Sequence, residues 1–142
     1  MRPLVLDVSA CMPWCCEDET TAASEEMLNW AMQGNEMHVP GLWAWEILNA
    51  VGVAIKPKRI TADRGRDFLE QLAKLNFRMD RPVPVAEFPR LHSLAAKYKP
   101  TAYDVAYLDL AVRLSLPLAT RDGALQAAAM AERVEVLPDS VL

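Results

Sequence analysis

Four acidic side chains interrupt apolar stretches of the sequence, where a carboxylate is costly to bury. They are Asp7, Glu46, Asp104 and Asp122. Asp7 ends the run LVL, and Asp122 comes just after PLAT and before an alanine-rich stretch. A carboxylate in apolar surroundings must be hydrogen-bonded, paired with a cation or bound to a metal ion. These four residues are therefore the first candidates for chemistry.

Asp7 and Asp122 each have a structural and a functional interpretation. Aspartate is a preferred N-cap residue, and both positions precede predicted helices. Asp122 also lies in an Arg-Asp-Gly segment that suits a turn. On the other hand, both residues follow short apolar runs typical of strands, and the carboxyl ends of parallel strands border the crevice where ligands bind. Taken singly, neither acid decides between the two interpretations.

Glu46 lies in the most apolar helical stretch, LWAWEILNAVGVAI at residues 42–55, whose only polar side chains are Glu46 and Asn49. A helix that is apolar nearly all round is predicted to be buried. Residues three apart are neighbours on a helix, so Glu46 and Asn49 are expected side by side in the core. The alternative to a functional pair is a hydrogen-bonded structural pair, or a carboxylate matched to a basic residue from elsewhere.

Asp104, in the segment KPTAYDVAYLDLA, ends a T-x-x-D pattern that resembles a helix capping box. It also begins the apolar stripe of the predicted helix, because Tyr107 follows at i+3. Asp109 lies about 140° further round that helix. With Arg113 four residues later, Asp109 is predicted to form an ordinary surface ion pair outside the candidate site.

The four acids together predict a metal centre, since two follow strands and two lie on helices that can pack beside the same crevice. Clustered carboxylates repel one another and require a positive charge among them. All-oxygen sites with open positions suit Mg²⁺ or Mn²⁺. Such an ion can polarise a phosphoryl oxygen and lower the pKa of a bound water molecule. The chemistry implied is hydrolysis of a phosphodiester.

The elements that must position these acids belong to an α/β domain. Short apolar runs alternate with helical stretches along the 142 residues, a pattern typical of a parallel sheet covered by helices. One domain spanning residues 1–142 is expected from the length. The predicted strands are residues 3–6, 37–39, 77–79, 117–119 and 134–137. No apolar run reaches the roughly 20 residues of a membrane helix.

The cysteines Cys11, Cys15 and Cys16 are odd in number and crowded together, which suits a reducing compartment. With no recognisable leader at the N-terminus, the expected location is the cytoplasm. Cys11 and Cys15 are at helical spacing and could bind zinc with His38 or His92. The alternative is that the thiols are small buried apolar fillers.

Four segments, LVLDVSA, WEILNA, TAYDVAYLDLA and LATRDGALQAAA, resemble in order and spacing the motifs of the PIN-domain family. They are most similar to those of the small VapC-like ribonuclease toxins of prokaryotic toxin–antitoxin systems, and the match spans residues 3–136. The segment CMPWCCEDE departs from the family pattern in its cysteines.

This resemblance implies a three-layer α/β/α fold with a five-stranded parallel sheet. It further implies that Asp7, Glu46, Asp104 and Asp122 coordinate Mg²⁺ or Mn²⁺ for RNA cleavage. The residues that it implies as supports of the site are Ser9, Asn49 and Thr120. The resemblance also implies a homodimer and a cognate antitoxin whose C-terminal segment enters the active-site groove.

An RNA substrate requires phosphate contacts, and the candidates are Lys56, Lys58, Arg59 and Arg121. Their alternative interpretation is ordinary solvated charge, because the chain has a formal net charge of -4 and is not basic overall. That charge falls to zero when the four candidate ligands are set aside. At least three of the four tryptophans are expected in the core or in a dimer interface.

Other functions of small α/β domains fit less well. A phosphoacceptor receiver domain requires paired acids after its first strand, and a haloacid-dehalogenase-type phosphatase requires D-x-D, whereas position 9 is Ser. Two alternatives stay open. One is a catalytically inactive PIN-like module that binds RNA or protein through a fold whose acids are helix caps. The other is a stand-alone PIN nuclease without an antitoxin.

Overall fold

The computed structural model describes residues 3–98 and 101–137. The strands are β1 (Leu4–Leu6), β2 (Met37–Val39), β3 (Phe77–Met79) and β4 (Leu118–Ala119). They form one parallel sheet in the order β3-β2-β1-β4. The predicted α/β class and the parallel sheet are therefore confirmed.

The predicted fifth strand at residues 134–137 is wrong, because the described residues form a sheet of four strands. The C-terminal segment makes a single parallel bridge, between Leu118 and Val136. The Leu118 N–H donates to the Glu135 carbonyl at 2.8 Å, and its carbonyl accepts from the Leu137 N–H at 3.0 Å. β4 is only two residues long. Because ladder bonds alternate sides along a strand, only Leu118 is available to the incoming chain.

Seven helices surround the sheet in the described residues, and three short 3₁₀ helices occur at Met12–Trp14, Glu17–Glu19 and Val85–Glu87. The α-helices are α1 (Val8–Cys11), α2 (Ala22–Met32), α3 (Trp43–Ile55), α4 (Ala62–Leu72), α5 (Phe88–Tyr98), α6 (Ala102–Leu114) and α7 (Gly123–Ala131). Threonine caps three of them: Thr21, Thr61 and Thr101 each accept the backbone N–H three residues later.

The helix α6 is the one that packs most broadly on the sheet, contacting β1, β2 and β4. It also contacts α5 and α7, whereas α1 contacts α2 and α3, and α3 contacts α4. Its buried residues include Tyr107, Leu108 and Leu110. The middle of α6 therefore packs against the central strands. No helix in the described part of the chain is long and apolar enough to span a membrane.

The prediction that the apolar helix is buried all round is wrong. Helix α3 buries one stripe, at Trp43, Ile47, Val51 and Ala54, and its other side is exposed. Asn49 lies on the exposed side rather than in the core. An apolar run records composition only, and a helix packed on one side buries every third or fourth residue.

Three tryptophans, Trp14, Trp30 and Trp43, are buried as predicted, whereas Trp45 is 75% exposed. The Trp14 Nε1–H donates to the Ser24 carbonyl at 3.0 Å. The Nε1–H groups of Trp30 and Trp43 have no hydrogen-bond partner among the described residues. The buried tryptophans therefore lie at the end of the 3₁₀ helix Met12–Trp14, near the end of α2 and at the start of α3.

The prediction of an ordinary surface ion pair at Asp109 is also wrong, because this side chain is buried. Its carboxylate accepts from Arg90 Nη1 at 2.7 Å and from Arg113 Nε at 2.9 Å. Arg90 also donates to Glu87, and Arg113 to Asp80. The network joins the segment after β3 to α5 and α6. Sequence spacing identified Arg113 as a partner of Asp109. It could not identify Arg90, because Arg90 lies on a different helix, α5.

Replacing Asp109 by asparagine is expected to lower the free energy of unfolding by about 1–3 kcal/mol, since a buried charged acceptor of two arginines is lost. Chemical denaturation at neutral pH measures this change. The matched control is Asp67→Asn, an exposed site on α4, which should change stability by less than about 0.5 kcal/mol. Equal losses in both variants would show that the network contributes nothing.

Candidate active site

The carboxyl ends of β1 and β4 bring Asp7 and Thr120 together. Leu6 pairs with Ala119 in parallel register, and the Asp7 N–H donates to the Ala119 carbonyl at 3.0 Å. The two residues that follow therefore leave the sheet at the same edge. β1 lies between β2 and β4, so the strand order reverses between β1 and β4. Open α/β sheets bind ligands at the carboxyl ends of the strands at such a point.

The Asp7 carboxylate is held by two hydroxyl groups. Ser9 Oγ and Thr120 Oγ1 each donate to Asp7 Oδ2 at 2.7 Å. Ser9 Oγ accepts the Arg121 backbone N–H at 2.8 Å, and Thr120 Oγ1 accepts the Asp122 backbone N–H at 3.1 Å. Asp7 precedes α1, but its side chain makes no capping hydrogen bond there. Neutral donors thus orient the carboxylate without cancelling its charge.

Glu46 lies in the first turn of α3 and reaches toward α6. Tyr107 Oη donates to Glu46 Oε1 at 2.5 Å. Burial raises the pKa of Glu46 above its ordinary value, the hydrogen bond from Tyr107 opposes this, and the charges of Asp7 and Asp104 raise it further. Glu46 is therefore close enough to both aspartates to feel their charge.

Asp104 lies in the first turn of α6, where its backbone N–H donates to Thr101 Oγ1 at 3.2 Å. The predicted helix cap is thus present. The pKa of Asp104 is nevertheless raised, first by burial and next by the charges of Asp122 and Asp7, against hydrogen bonding to Thr101. The capping and functional interpretations are compatible here, because the cap engages the backbone while the carboxylate lies near other acids.

Asp122 is the most exposed of the four acids and acts as the N-cap of α7. Its Oδ1 accepts the backbone N–H groups of Ala124 at 2.9 Å and Leu125 at 3.2 Å. The capping interpretation therefore holds for Asp122. Its charge still raises the pKa of Asp104, so it contributes to the same electrostatic cluster.

The charges of the four acids act on one another, but their carboxylates do not form a closely packed group. Among the described residues, no three of them bring their carboxylate oxygens within 4.8 Å of one another. In the same part of the chain, arginine, lysine and histidine side chains form their ion pairs with other acids. The donor set is all oxygen, open and uncompensated by protein cations. Such a set fits a hard divalent cation that retains several water molecules.

A second acidic group lies nearby but is already neutralised. Cys16, Asp18 and Glu19 do bring potential ligand atoms within 4.8 Å of one another. Arg59 Nη2, however, donates to Asp18 Oδ1 at 2.9 Å and to Glu19 Oε2 at 2.6 Å. Arg121 Nη1 donates to Glu19 Oε1 at 3.2 Å. This group is an ion-pair cluster, and two of the candidate RNA contacts, Arg59 and Arg121, belong to it.

The other two candidate RNA contacts, Lys56 and Lys58, are exposed just beyond the C-terminal end of α3. Both lysines lie outside the ion pairs found in the described residues, so of the four candidate RNA contacts they are the two not already paired with an acid. Asn49 is exposed one turn after Glu46.

The zinc alternative finds no support in the described residues. Cys11 and Cys15 are buried, and burial raises the pKa of Cys15 to about 11. A thiol must be deprotonated to bind a metal ion. His38 Nε2 lies 2.5 Å from Glu36 Oε1 instead of near the thiols. The interpretation as buried apolar fillers fits Cys11 and Cys15 better.

The sequence matches the family described as PIN domain over residues 4–130. The chain belongs to the PIN domain family. PIN domains are in general metal-dependent nucleases, so membership supports a hydrolase at a coarse level. Comparison with curated protein sequences found no match.

Two solved structures share the fold of this PIN domain. PAE2754 from Pyrobaculum aerophilum has a TM-score of 0.70 and 19% identity, covering 96% of this chain and 84% of that one. FitAcB from Neisseria gonorrhoeae has a TM-score of 0.59 and 18% identity, covering 96% and 97%. At this identity the similarity concerns the fold alone.

Tyr107 is the residue of this PIN domain's site that sequence reasoning missed. Its spacing of i+3 from Asp104 predicts only a place in an apolar stripe. One signal was available: a tyrosine on a buried face needs a partner for its hydroxyl. Its partner, Glu46, lies 61 positions earlier, and local spacing carries no information about such a pair.

Asp104→Asn is expected to raise the thermal unfolding midpoint of the metal-free protein at neutral pH. The folded-state pKa of Asp104 is raised, so its ionised form destabilises the folded state, and asparagine removes that charge. The gain should shrink as pH falls through the folded-state pKa and vanish below the ordinary aspartate value, where the carboxyl group is neutral in both states.

Scanning calorimetry in the presence of a chelator measures this effect. The matched control is Asp63→Asn, an exposed acid in the first turn of the Thr61-capped helix α4. This control should lose a little stability, because its charge favours the helix dipole. A lower midpoint for Asp104→Asn than for the wild type would contradict the inference that burial and neighbouring acids destabilise the ionised Asp104.

Proposed function

We propose that the chain is a Mg²⁺- or Mn²⁺-dependent endoribonuclease, the toxin of a type II toxin–antitoxin pair, built as a single nuclease domain over residues 1–142. The observation that carries this proposal is the group of four carboxylates, Asp7, Glu46, Asp104 and Asp122, whose charges act on one another and three of which accept hydrogen bonds from neutral donors. Family membership supports the metal-dependent nuclease. The RNA substrate and the antitoxin rest on the VapC-like resemblance of the motifs.

The proposed roles follow from the contacts. The four acids hold the ion, and Ser9 and Thr120 keep the Asp7 carboxylate oriented. A bound Mg²⁺ or Mn²⁺ would polarise a phosphoryl oxygen and lower the pKa of a water molecule. Asn49, exposed on the same helix as Glu46, is available to contact the RNA backbone.

The partners in this proposal are a second copy of the chain and an antitoxin. Among the exposed large apolar side chains, two groups are each close together in sequence. They are Trp45, Leu48 and Val53 on α3, and Met79, Val83, Val85 and Phe88 between the end of β3 and the start of α5. Contiguous exposed apolar patches mark surfaces that bind other chains, and the proposed contact surfaces are these two groups.

The alternative function is a PIN-like module that binds RNA or protein without catalysis. The contacts of Asp122 favour it, since both N–H donors to its Oδ1 belong to the helix that it caps. Metal affinity separates the two functions, because a helix cap has no reason to bind Mn²⁺. A stand-alone nuclease without an antitoxin differs only in its partners and substrates.

Calorimetric titration of Mn²⁺ into the partner-free protein is expected to give saturable binding near one or two equivalents. Asp104→Asn should weaken that affinity at least about tenfold, since ligand positions contribute more than the outer-shell groups for which such losses are typical. Asp63→Asn is the matched control and should bind as the wild type does. Absent binding in the wild type would overturn the catalytic proposal and favour the binding module.

The acidic 3₁₀ helix Glu17–Glu19 bears on the RNA contacts. Arg59 pairs with Asp18 and Glu19, and Arg121 pairs with Glu19. An RNA phosphate that uses either arginine must compete with these carboxylates, because a guanidinium directed at one acid is not free for another anion. Glu17 is exposed in the same turn and takes no part in these ion pairs.

Glu19→Gln is therefore expected to strengthen binding of a short labelled single-stranded RNA. It should also steepen the salt dependence of that binding by about 0.7 in log–log slope for each additional phosphate that an arginine neutralises. Fluorescence anisotropy at several salt concentrations, with a chelator to prevent cleavage, measures both quantities. Glu17→Gln changes the net charge equally without freeing an arginine. Equal increases in affinity in the two variants would mean that net charge alone acts and that Arg121, whose acidic partner Glu19→Gln removes, does not contact RNA.

A further inference from the structure

Tyr107 joins two helices that carry candidate metal ligands. Its side chain is 1% exposed, in the middle of α6, and its hydroxyl reaches Glu46 in the first turn of α3. Within the described residues, this is the side-chain hydrogen bond that connects α3 with α6. The Tyr107 ring is part of the core, whereas its hydroxyl contacts Glu46, one of the four candidate metal ligands.

Three of the four acids show the same pattern of hydrogen bonding. Asp7 accepts through Oδ2, Glu46 through Oε1 and Asp122 through Oδ1, each from neutral donors. In the described part of the chain, the second oxygen of each carboxylate accepts no protein hydrogen bond. One oxygen of each group is committed to the protein, and the other remains available to a cation.

We infer that Tyr107 is a positioning residue for metal binding, which holds one oxygen of Glu46 so that the other can coordinate the ion. This inference rests on the proposed function. Glu46 is the acid that most needs such a restraint, because its longer side chain has more rotamers and the charges of Asp7 and Asp104 repel it. Serine and threonine hydroxyls serve Asp7 in the corresponding way.

The tyrosine acts as a donor and not as a ligand. Its hydroxyl proton is directed at Glu46 Oε1, so the group is committed to donating a hydrogen bond to that carboxylate. A phenylalanine at this position would preserve the ring in the core and remove only the restraint on Glu46.

The test compares Tyr107→Phe with Tyr103→Phe. Tyr103 lies on the same helix but is 66% exposed, so its hydroxyl is a matched control. Calorimetric titration of Mn²⁺ at a temperature where all samples are folded gives the affinities, and unfolding in a chelator gives the stabilities. Tyr107→Phe should weaken Mn²⁺ binding about tenfold or more, as outer-shell groups typically do, and Tyr103→Phe should leave it unchanged.

A second measurement is the rise in unfolding midpoint when Mn²⁺ is added, which depends on affinity for the folded state. The rise should be smaller for Tyr107→Phe than for the wild type or Tyr103→Phe. Wild-type affinity in Tyr107→Phe, even with lower stability, would make Tyr107 an ordinary core residue and leave the proposed function intact. Absent Mn²⁺ binding in the wild type would instead overturn the proposed function.

Discussion

Repulsion among carboxylates at one edge of the sheet is the constraint on which the site depends. Two like charges about 4 Å apart repel by about 1 kcal/mol in water and by about 4 kcal/mol at an effective dielectric near 20. The protein holds these groups with hydroxyls from Ser9, Thr120 and Tyr107 and with backbone N–H groups. Such donors satisfy oxygen atoms without supplying charge. The negative potential therefore remains, and folding must be driven by the core around it.

The cations of the chain are used elsewhere, and α6 shows the contrast within one helix. Asp109 is buried and accepts from two arginines, whereas Asp104, five residues earlier, has no such partner among the described residues. The two acids point to different sides of the helix because five residues turn it by about 140° beyond a full circle. On one side of α6, Asp109 forms an ion pair with Arg90 of α5. On the other side, Asp104 lies near other acids and is not paired with a cation of the described residues.

Sequence reasoning predicted what depends on local pattern. Apolar runs located all four strands, and the acids after β1 and β4 emerge at one edge because parallel register requires it. What failed depends on partners distant in sequence. The burial of Asp109 follows from Arg90 on another helix, and the role of the Tyr107 hydroxyl follows from Glu46 on α3. A buried tyrosine in an apolar stripe looks like core packing until its partner is known.

Two further failures have a common origin. An apolar sequence does not say how much of an element the rest of the protein covers. Helix α3 is apolar nearly all round, yet only one stripe of it is buried. The segment at 134–137 is as apolar as a strand, yet the two-residue β4 offers it a single position for pairing. Composition sets the capacity to be buried, and the neighbouring elements set how much of that capacity is used.

The arrangement of charges couples the two ligands of the proposed function. Arg59 and Arg121 are compensated by Asp18 and Glu19, so these two cations do not offset the four acids. An RNA phosphate approaching the metal-free site therefore meets net negative charge. In the proposed function a divalent cation would offset two of the four negative charges and offer the phosphate a positive centre, so it would favour RNA binding as well as chemistry. Because linkage between two ligands is reciprocal, a bound phosphate must strengthen cation binding by the same factor.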